Sequence, residues 1–198
     1  MKKIIFLVFA FVVTFNSFSQ NAEQEIRKVV TEYLGYVETG DFLKTAEYMP
    51  DGYFDVFSKE EYLKTFEVFI DEKIKVADSK VIKVDKIKKI KDKYYSIVTF
   101  SFLMKYKMNI EEVNKEGIEI DGKNYDMIDF MLIACEKIFG KGNVKYNKET
   151  NFFEKMSIAN IVVISNNGIT DWKLVEDREK ALLGKFVPKK ILKAAFKN

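Results

Sequence analysis

The alternating segment Tyr94–Met108 limits most strongly how this chain can fold. On one side of it every residue from Val98 to Met108 is apolar or aromatic, whereas the other side, from Tyr95 to Lys105, is mixed. A period of two residues is typical of a β-strand, and a strand with one wholly apolar side has to bury that side. Phe152–Ser165 is predicted to be a second long strand. The sequence therefore predicts a sheet that packs one face against helices and leaves the other face partly exposed.

Helical patterns precede these strands. Asn21 begins a predicted helix whose apolar residues recur on one face until Gly40, and Asp41 caps a short second helix. The capping box Ser58-Lys59-Glu60-Glu61 predicts the start of a third helix. Tyr53–Phe57, which lies between the second and third helices, is predicted to be a short strand.

The C-terminal half alternates the two patterns. Ile118–Tyr125 is predicted to form a hairpin around Asp121-Gly122, and Ile128–Phe139 is predicted to be a helix that Gly140 ends. Ile169–Glu176 is predicted to be the final strand, and Pro188 to start a last helix.

The N-terminus has the features of a cleavable export signal. Lys2-Lys3 precede the apolar run Ile4–Phe15, and small residues precede Gln20. We therefore predict that residues 1–19 of the 198 are removed and that the mature chain has 179 residues. We expect this mature chain to be periplasmic or secreted. A retained N-terminal anchor or a buried strand is the alternative. No later stretch is apolar for long enough to span a bilayer, so no integral membrane anchor is expected after cleavage.

The composition excludes several kinds of chemistry. His is absent and Cys135 is the single cysteine, so we expect no metal site, no cofactor and no disulfide within the chain. Cys135 lies in an apolar helical stripe, where a thiol is usually buried and inert. The formal net charge of +3 falls to +1 when Lys2 and Lys3 are removed, so we expect the mature chain to have no nucleic-acid partner.

The order of these elements resembles that of the nuclear transport factor 2-like (SnoaL-like) superfamily. The best-matched stretch is VVTEYLGYVETGD at 29–41, followed by Pro50-Asp51-Gly52, the Ser58 capping box and Asp171-Trp172-Lys173-Leu174. The resemblance covers about 20–108 and 152–177, and it implies a single domain over 20–198. Within it, 109–151 is a predicted insertion and 178–198 a C-terminal helical extension. The implied fold is α+β and cone-shaped (cystatin-like), with N-terminal helices packed on a curved antiparallel sheet around an apolar pocket.

The catalytic groups of that superfamily are not matched. Steroid isomerases within it hold an oxyanion with a Tyr of the first helix, a position that Tyr33 occupies. Their general-base Asp corresponds to Val56 or Phe57, and the nearest carboxylate, Asp55, is shifted onto the opposite side of a strand. We therefore predict no catalytic residue.

Nine residues are predicted to line a ligand pocket because the family's pocket lies between the first helices and the apolar side of the long strands. They are Tyr33, Val37, Phe57, Phe66, Phe100, Phe102, Met104, Tyr106 and Trp172. A role in the core is the alternative for each of them. The expected function is an exported, non-catalytic binding module for a small apolar ligand or a protein partner. The alternative is an isomerase or dehydratase that uses carboxylate and Tyr groups. A homodimer through the mixed side of the sheet, at Ile97 and Leu103, is also expected to be feasible.

Three charged segments are interpreted as solvated surface. The hairpin lysines are Lys83, Lys86, Lys88, Lys89, Lys91 and Lys93. The C-terminal lysines are Lys185, Lys189, Lys190, Lys193 and Lys197, for which attraction to anionic lipids is an alternative. The acidic segment is Glu111, Glu112, Glu116, Glu119 and Asp121, which lacks a calcium-loop pattern.

Overall fold

Strands β3 (Lys93–Tyr106) and β7 (Phe152–Ser165) pair in antiparallel fashion at the centre of a sheet. β1 (Ile74–Val84) flanks β3 and β6 (Val144–Asn147) flanks β7. Two short strands extend the same sheet, β2 (Lys88–Ile90) beside β3 and β8 (Lys173–Val175) beside β7. The computed structural model describes residues 2–70, 73–107, 118–120, 122–176 and 180–196. In these residues the predicted α+β class is confirmed, with an open antiparallel sheet.

The N-terminal helices pack on one face of this sheet. They are α1 (Lys2–Thr39), α2 (Phe42–Thr45), a 3-10 turn (Ala46–Tyr48), α3 (Lys59–Lys64) and α4 (Glu67–Ile70). The predicted capping box is confirmed: the Ser58 hydroxyl accepts from the Glu61 N–H, and the Glu61 carboxylate accepts from the Ser58 N–H at 3.0 Å. The prediction that the first helix begins at Asn21 is wrong, because residues 2–20 contain no Gly or Pro to interrupt α1.

The predicted strand at Tyr53–Phe57 is also wrong. This segment forms successive turns, in which the Tyr53 N–H donates to the Pro50 carbonyl and the Phe57 N–H to the Tyr53 carbonyl. The backbone groups are therefore satisfied locally, and the segment contributes no rung to the sheet.

The inner face of the sheet carries the main core. Val98 of β3 and Ile161 and Val163 of β7 point to this face, and α1 places Ile26 and Val30 against them. Further along the same side of β3, from Phe100 to Tyr106, the residues are only partly buried.

The outer face is covered at one end by two C-terminal helices, α6 (Lys180–Phe186) and α7 (Lys189–Ala195). Tyr95, Ile97, Val162 and Ile164 are buried there against residues of those helices, including Leu183 and Ile191. Ile97, half of the predicted dimer surface, is 7% exposed, so the chain itself covers it.

Asn160 lies at the edge of the outer-face area that α6 and α7 cover. Its side-chain amide donates to the Ala195 carbonyl at 2.8 Å and accepts from the Thr99 hydroxyl at 2.8 Å, which joins the end of α7 to β7 and β3. Beyond Asn160 the outer face is open, and Met156 and Ile158 are 57% and 69% exposed.

The segment after β3 adds a second unit to the inner face. The hairpin β4 (Ile118–Ile120) and β5 (Lys123–Tyr125) forms in the predicted register, and α5 (Met127–Phe139) ends at Gly140 as predicted, with φ 89°. α5 packs over Phe153 and Val144 and buries Cys135. The described residues do not include 108–117, Asp121 or Lys197. The side chains of the whole acidic segment also lie outside them.

The final strand is shorter than predicted. β8 begins at Lys173, because the Asn167 side chain accepts from the Ile169 and Thr170 N–H groups and holds 166–170 in a loop. Gly168 has φ +77°, and an added Cβ would lie 2.7 Å from the Tyr94 ring, so the loop requires glycine there.

Candidate functional site

A cavity of about 530 Å³ opens on the inner face where α1 ends and β1 begins; we call it the inner cavity. Its apolar lining comes from four elements. Val37 belongs to α1, Phe42 to α2, Phe69 to α4, and Ile74 and Val76 to β1. Glu38, Thr39 and Gly40 form its exposed rim. Because α1 stops at Gly40, the chain leaves room between the helices and the first strand.

Strand register extends the apolar lining across the sheet. Ile74 lies opposite Tyr106, and Val76 lies opposite Met104. Directly opposed residues of antiparallel strands point to the same face, so Met104 and Tyr106 continue the surface that begins in the inner cavity. Phe102 follows on the same face, with its ring centroid 5.7 Å from that of Phe100.

The neighbouring strand β7 interrupts this apolar surface with polar groups. Lys155 lies opposite Met104, and Ser157 lies opposite Phe102. The Lys155 ammonium donates to the Ser157 hydroxyl at 3.1 Å and lies 4.8 Å from the centroid of the Phe139 ring on α5. Its charge is thus directed towards α5.

The nine predicted ligand residues divide into two groups. Tyr33, Phe66 and Trp172 are at most 2% exposed and belong to the main core, and Phe57 and Phe100 pack against that core. Val37 lines the inner cavity, and Phe102, Met104 and Tyr106 lie on the partly buried face beside it. Tyr106 also packs against the α5 group.

Four lining residues were not predicted as site residues: Phe42, Phe69, Ile74 and Val76. The rings of Phe42 and Phe69 both contact the Phe66 ring, at 4.4 and 6.4 Å between centroids. The available signal was their position at the ends of helical segments that adjoin the first strand. Which strand residues they face depends on the register of β1, which the sequence pattern does not specify.

Glu38 is the carboxylate among the described residues that line the inner cavity. Its Oε1 accepts a hydrogen bond from the Ser79 backbone N–H at 2.6 Å, so this oxygen is used to hold β1. Asp55, the nearest match to the family's general base, is exposed in the turn region and does not line this cavity. The described lining therefore combines five apolar side chains with the Glu38 carboxylate at the rim, and Lys75 of β1 also borders the cavity.

Other candidate chemistry is limited in the described part of the chain. Burial raises the pKa of the Cys135 thiol, which disfavours the reactive thiolate. The described side chains contain no group of three potential metal ligands, and the helices searched include none with the length and hydropathy of a membrane span. Comparison with models of protein families, with curated proteins and with solved structures finds no match.

Proposed function

We propose that this chain is an exported, non-catalytic binding module that holds a small apolar molecule in the inner cavity. One observation carries the proposal: Ile74, Val76, Met104 and Tyr106 form a continuous, partly exposed apolar surface beside an open volume. A concave apolar surface left accessible to water is typical of a ligand site, and the volume lies within the roughly 300–1,000 Å³ range of such sites.

The nuclear transport factor 2-like cone remains part of this proposal. Its support is the order of elements, with short helices after α1 and then long antiparallel strands whose inner face receives those helices. Export is supported by the charged and apolar start of the chain, and N-terminal sequencing of secreted protein should give Gln20 as the first residue.

The hydrogen bond that Glu38 already makes to β1 favours a binding role over catalysis. An acid–base enzyme needs a group that is free to exchange protons with its substrate. The Glu38 carboxylate is exposed and already accepts the Ser79 N–H, and no second carboxylate lines the described cavity.

The inner cavity can be tested with the neutral apolar fluorophore N-phenyl-1-naphthylamine. We expect its fluorescence to rise on binding to the mature chain and the affinity to fall at least about tenfold in Val76→Glu, since the new carboxylate would have to be desolvated. Ile82→Glu is the matched control, because Ile82 lies on the same strand, is 51% exposed and does not line the cavity.

Equal loss of probe binding in the two variants, or no binding to the parent chain, would contradict the proposal. The enzyme alternative predicts a different result: a compound recovered from the purified protein would be converted on incubation with fresh protein, and Glu38→Gln would abolish the conversion while leaving probe binding intact.

A further inference from the structure

The fold brings together two lysine-rich segments that are distant in the sequence. The β2–β3 turn carries Lys91 and Lys93, and the junction of α6 and α7 carries Lys185 and Lys189. All four residues line one cavity of about 640 Å³, which we call the lysine cavity. It lies against the outer-face core, apart from the inner cavity.

The floor of the lysine cavity is apolar. Tyr95 and Val187 are buried members of the outer-face core, and Ile90 and Phe186 pack against the same core. Phe186 is held in place by the Tyr53 ring, 5.6 Å away between centroids. An apolar chain lying on this floor would remove both surfaces from water.

The rim of the cavity is strongly positive. Asp92 is the single acidic residue among its lining residues, against four lysines, and all five are exposed. Within the described residues, none of these four ammonium groups has a salt bridge, a hydrogen bond or an aromatic ring as a partner. Four cations around one opening raise the local concentration of anions.

We propose that the lysine cavity binds an amphiphilic anion, with a carboxylate or phosphate head at the lysines and an apolar tail on the Tyr95–Phe186 floor. Lysine ammonium groups are flexible point charges that accommodate either kind of head. A simple inorganic anion would leave the floor unused, and a neutral apolar molecule would leave the charges without a partner. This site does not depend on the proposed function of the inner cavity.

Calorimetric titration of the mature chain with decanoate and decyl phosphate tests the site. We expect both to bind, decan-1-ol to bind at least about tenfold more weakly, and the affinity for both anions to fall as salt is raised. The variant Lys91→Gln/Lys185→Gln/Lys189→Gln should lower the affinity at least about tenfold. Its matched control changes Lys59, Lys141 and Lys148, which are exposed elsewhere, to Gln.

A second variant fills the cavity without disturbing the fold. An added Cβ at Gly184 of α6 meets no atom within 4 Å, so Gly184→Trp should fold normally and exclude the tail. Gly35→Trp is the control, because Gly35 is an α1 glycine with equally open surroundings that lines neither cavity. N-phenyl-1-naphthylamine binding at the inner cavity should be unchanged in every one of these variants.

Vesicles distinguish the two sources of such an anion. Sedimentation with phosphatidylglycerol vesicles but not phosphatidylcholine vesicles assigns the head to a bilayer lipid, whereas binding of decanoate without sedimentation assigns it to a free monomer. Failure to bind in both arms, equal affinity for decan-1-ol and decanoate, or unchanged affinity in the lysine and Gly184→Trp variants would overturn the proposal.

Discussion

Glu38 Oε1 accepts a hydrogen bond from the Ser79 backbone N–H at 2.6 Å, which ties the last turn of α1 to β1. The bond falls where β1 shifts register against β3, between Ala77 and Lys80. Asp78 there has φ 53°, a left-handed conformation typical of a bulge. The carboxylate thus satisfies an N–H that the β1–β3 register leaves out, and it joins α1 to β1, two of the elements that line the inner cavity.

Glu38→Ala should therefore destabilise the fold. We expect the free energy of unfolding, measured with urea, to fall by about 1 kcal/mol. This value is below that of most hydrogen bonds to charged groups because Glu38 is exposed to solvent. Glu47→Ala, which removes another exposed carboxylate, should leave the urea midpoint unchanged. An identical midpoint for Glu38→Ala and the parent chain would show that the bond to Ser79 contributes nothing.

Cys135 should react slowly with thiol reagents in the native chain. The Cys135 side chain lies on the buried side of α5, against Val144 and Phe153, and burial raises its pKa, which disfavours the reactive thiolate. Alkylation by iodoacetamide, followed by mass spectrometry, should be at least about tenfold faster in urea than in buffer. Equal rates would mean that the packing of α5 against the sheet does not protect this thiol.

Stability should fall at alkaline pH. Burial raises the pKa of Tyr95, and burial together with the Glu32 carboxylate raises that of Tyr48, whose hydroxyl donates to Glu32 Oε2 at 3.2 Å. A raised pKa in the folded chain favours the protonated phenol, so its contribution is complete below the ordinary value of about 10 and is lost as the pH rises above it.

The measurement is a pH titration of tyrosinate absorbance together with circular dichroism. We expect part of the absorbance from the ten tyrosines to appear only as the native signal is lost, and Tyr48→Phe to weaken the alkaline dependence of stability. Complete ionisation near pH 10 in a chain with an intact native signal would refute this prediction.

The homodimer through the outer face of the sheet stays a prediction, but the exposed part of that face differs from the part expected from the sequence. Ile97 is covered by α7, whereas Leu103 lies opposite Met156 in a strip that continues to the exposed Ile158. We expect Ile158→Lys to reduce the mass measured by light scattering from two chains to one, with Ile138→Lys, also exposed, as the control. A single-chain mass for the parent protein would exclude the homodimer.

Local signals were sufficient for several elements. Phe152–Ser165 was predicted with the observed bounds because period two and flanking turn residues agree, and the hairpin and helix ending at Gly140 follow from two-residue turn and capping chemistry. The Ser58 capping box is a further case.

Features that depend on distant contacts could not be predicted in the same way. The mixed side of β3 gives no indication that α6 and α7 cover Tyr95 and Ile97, because that depends on where the chain returns. The same applies to the pairing of Ile74 with Tyr106 and to the presence of Lys91 and Lys185 around one cavity. For Tyr33 and Phe66 an apolar helical face was recognised, but periodicity does not distinguish a core position from a pocket wall.

Native mass spectrometry of the exported chain, purified from its own host, tests the central claim most directly. The account predicts a complex of the 179-residue chain, which begins at Gln20, with a small apolar compound that is released on denaturation. Val76→Glu should lose that added mass and Ile82→Glu should keep it. A bare chain mass for the parent protein, or the same added mass in Val76→Glu, would contradict the account.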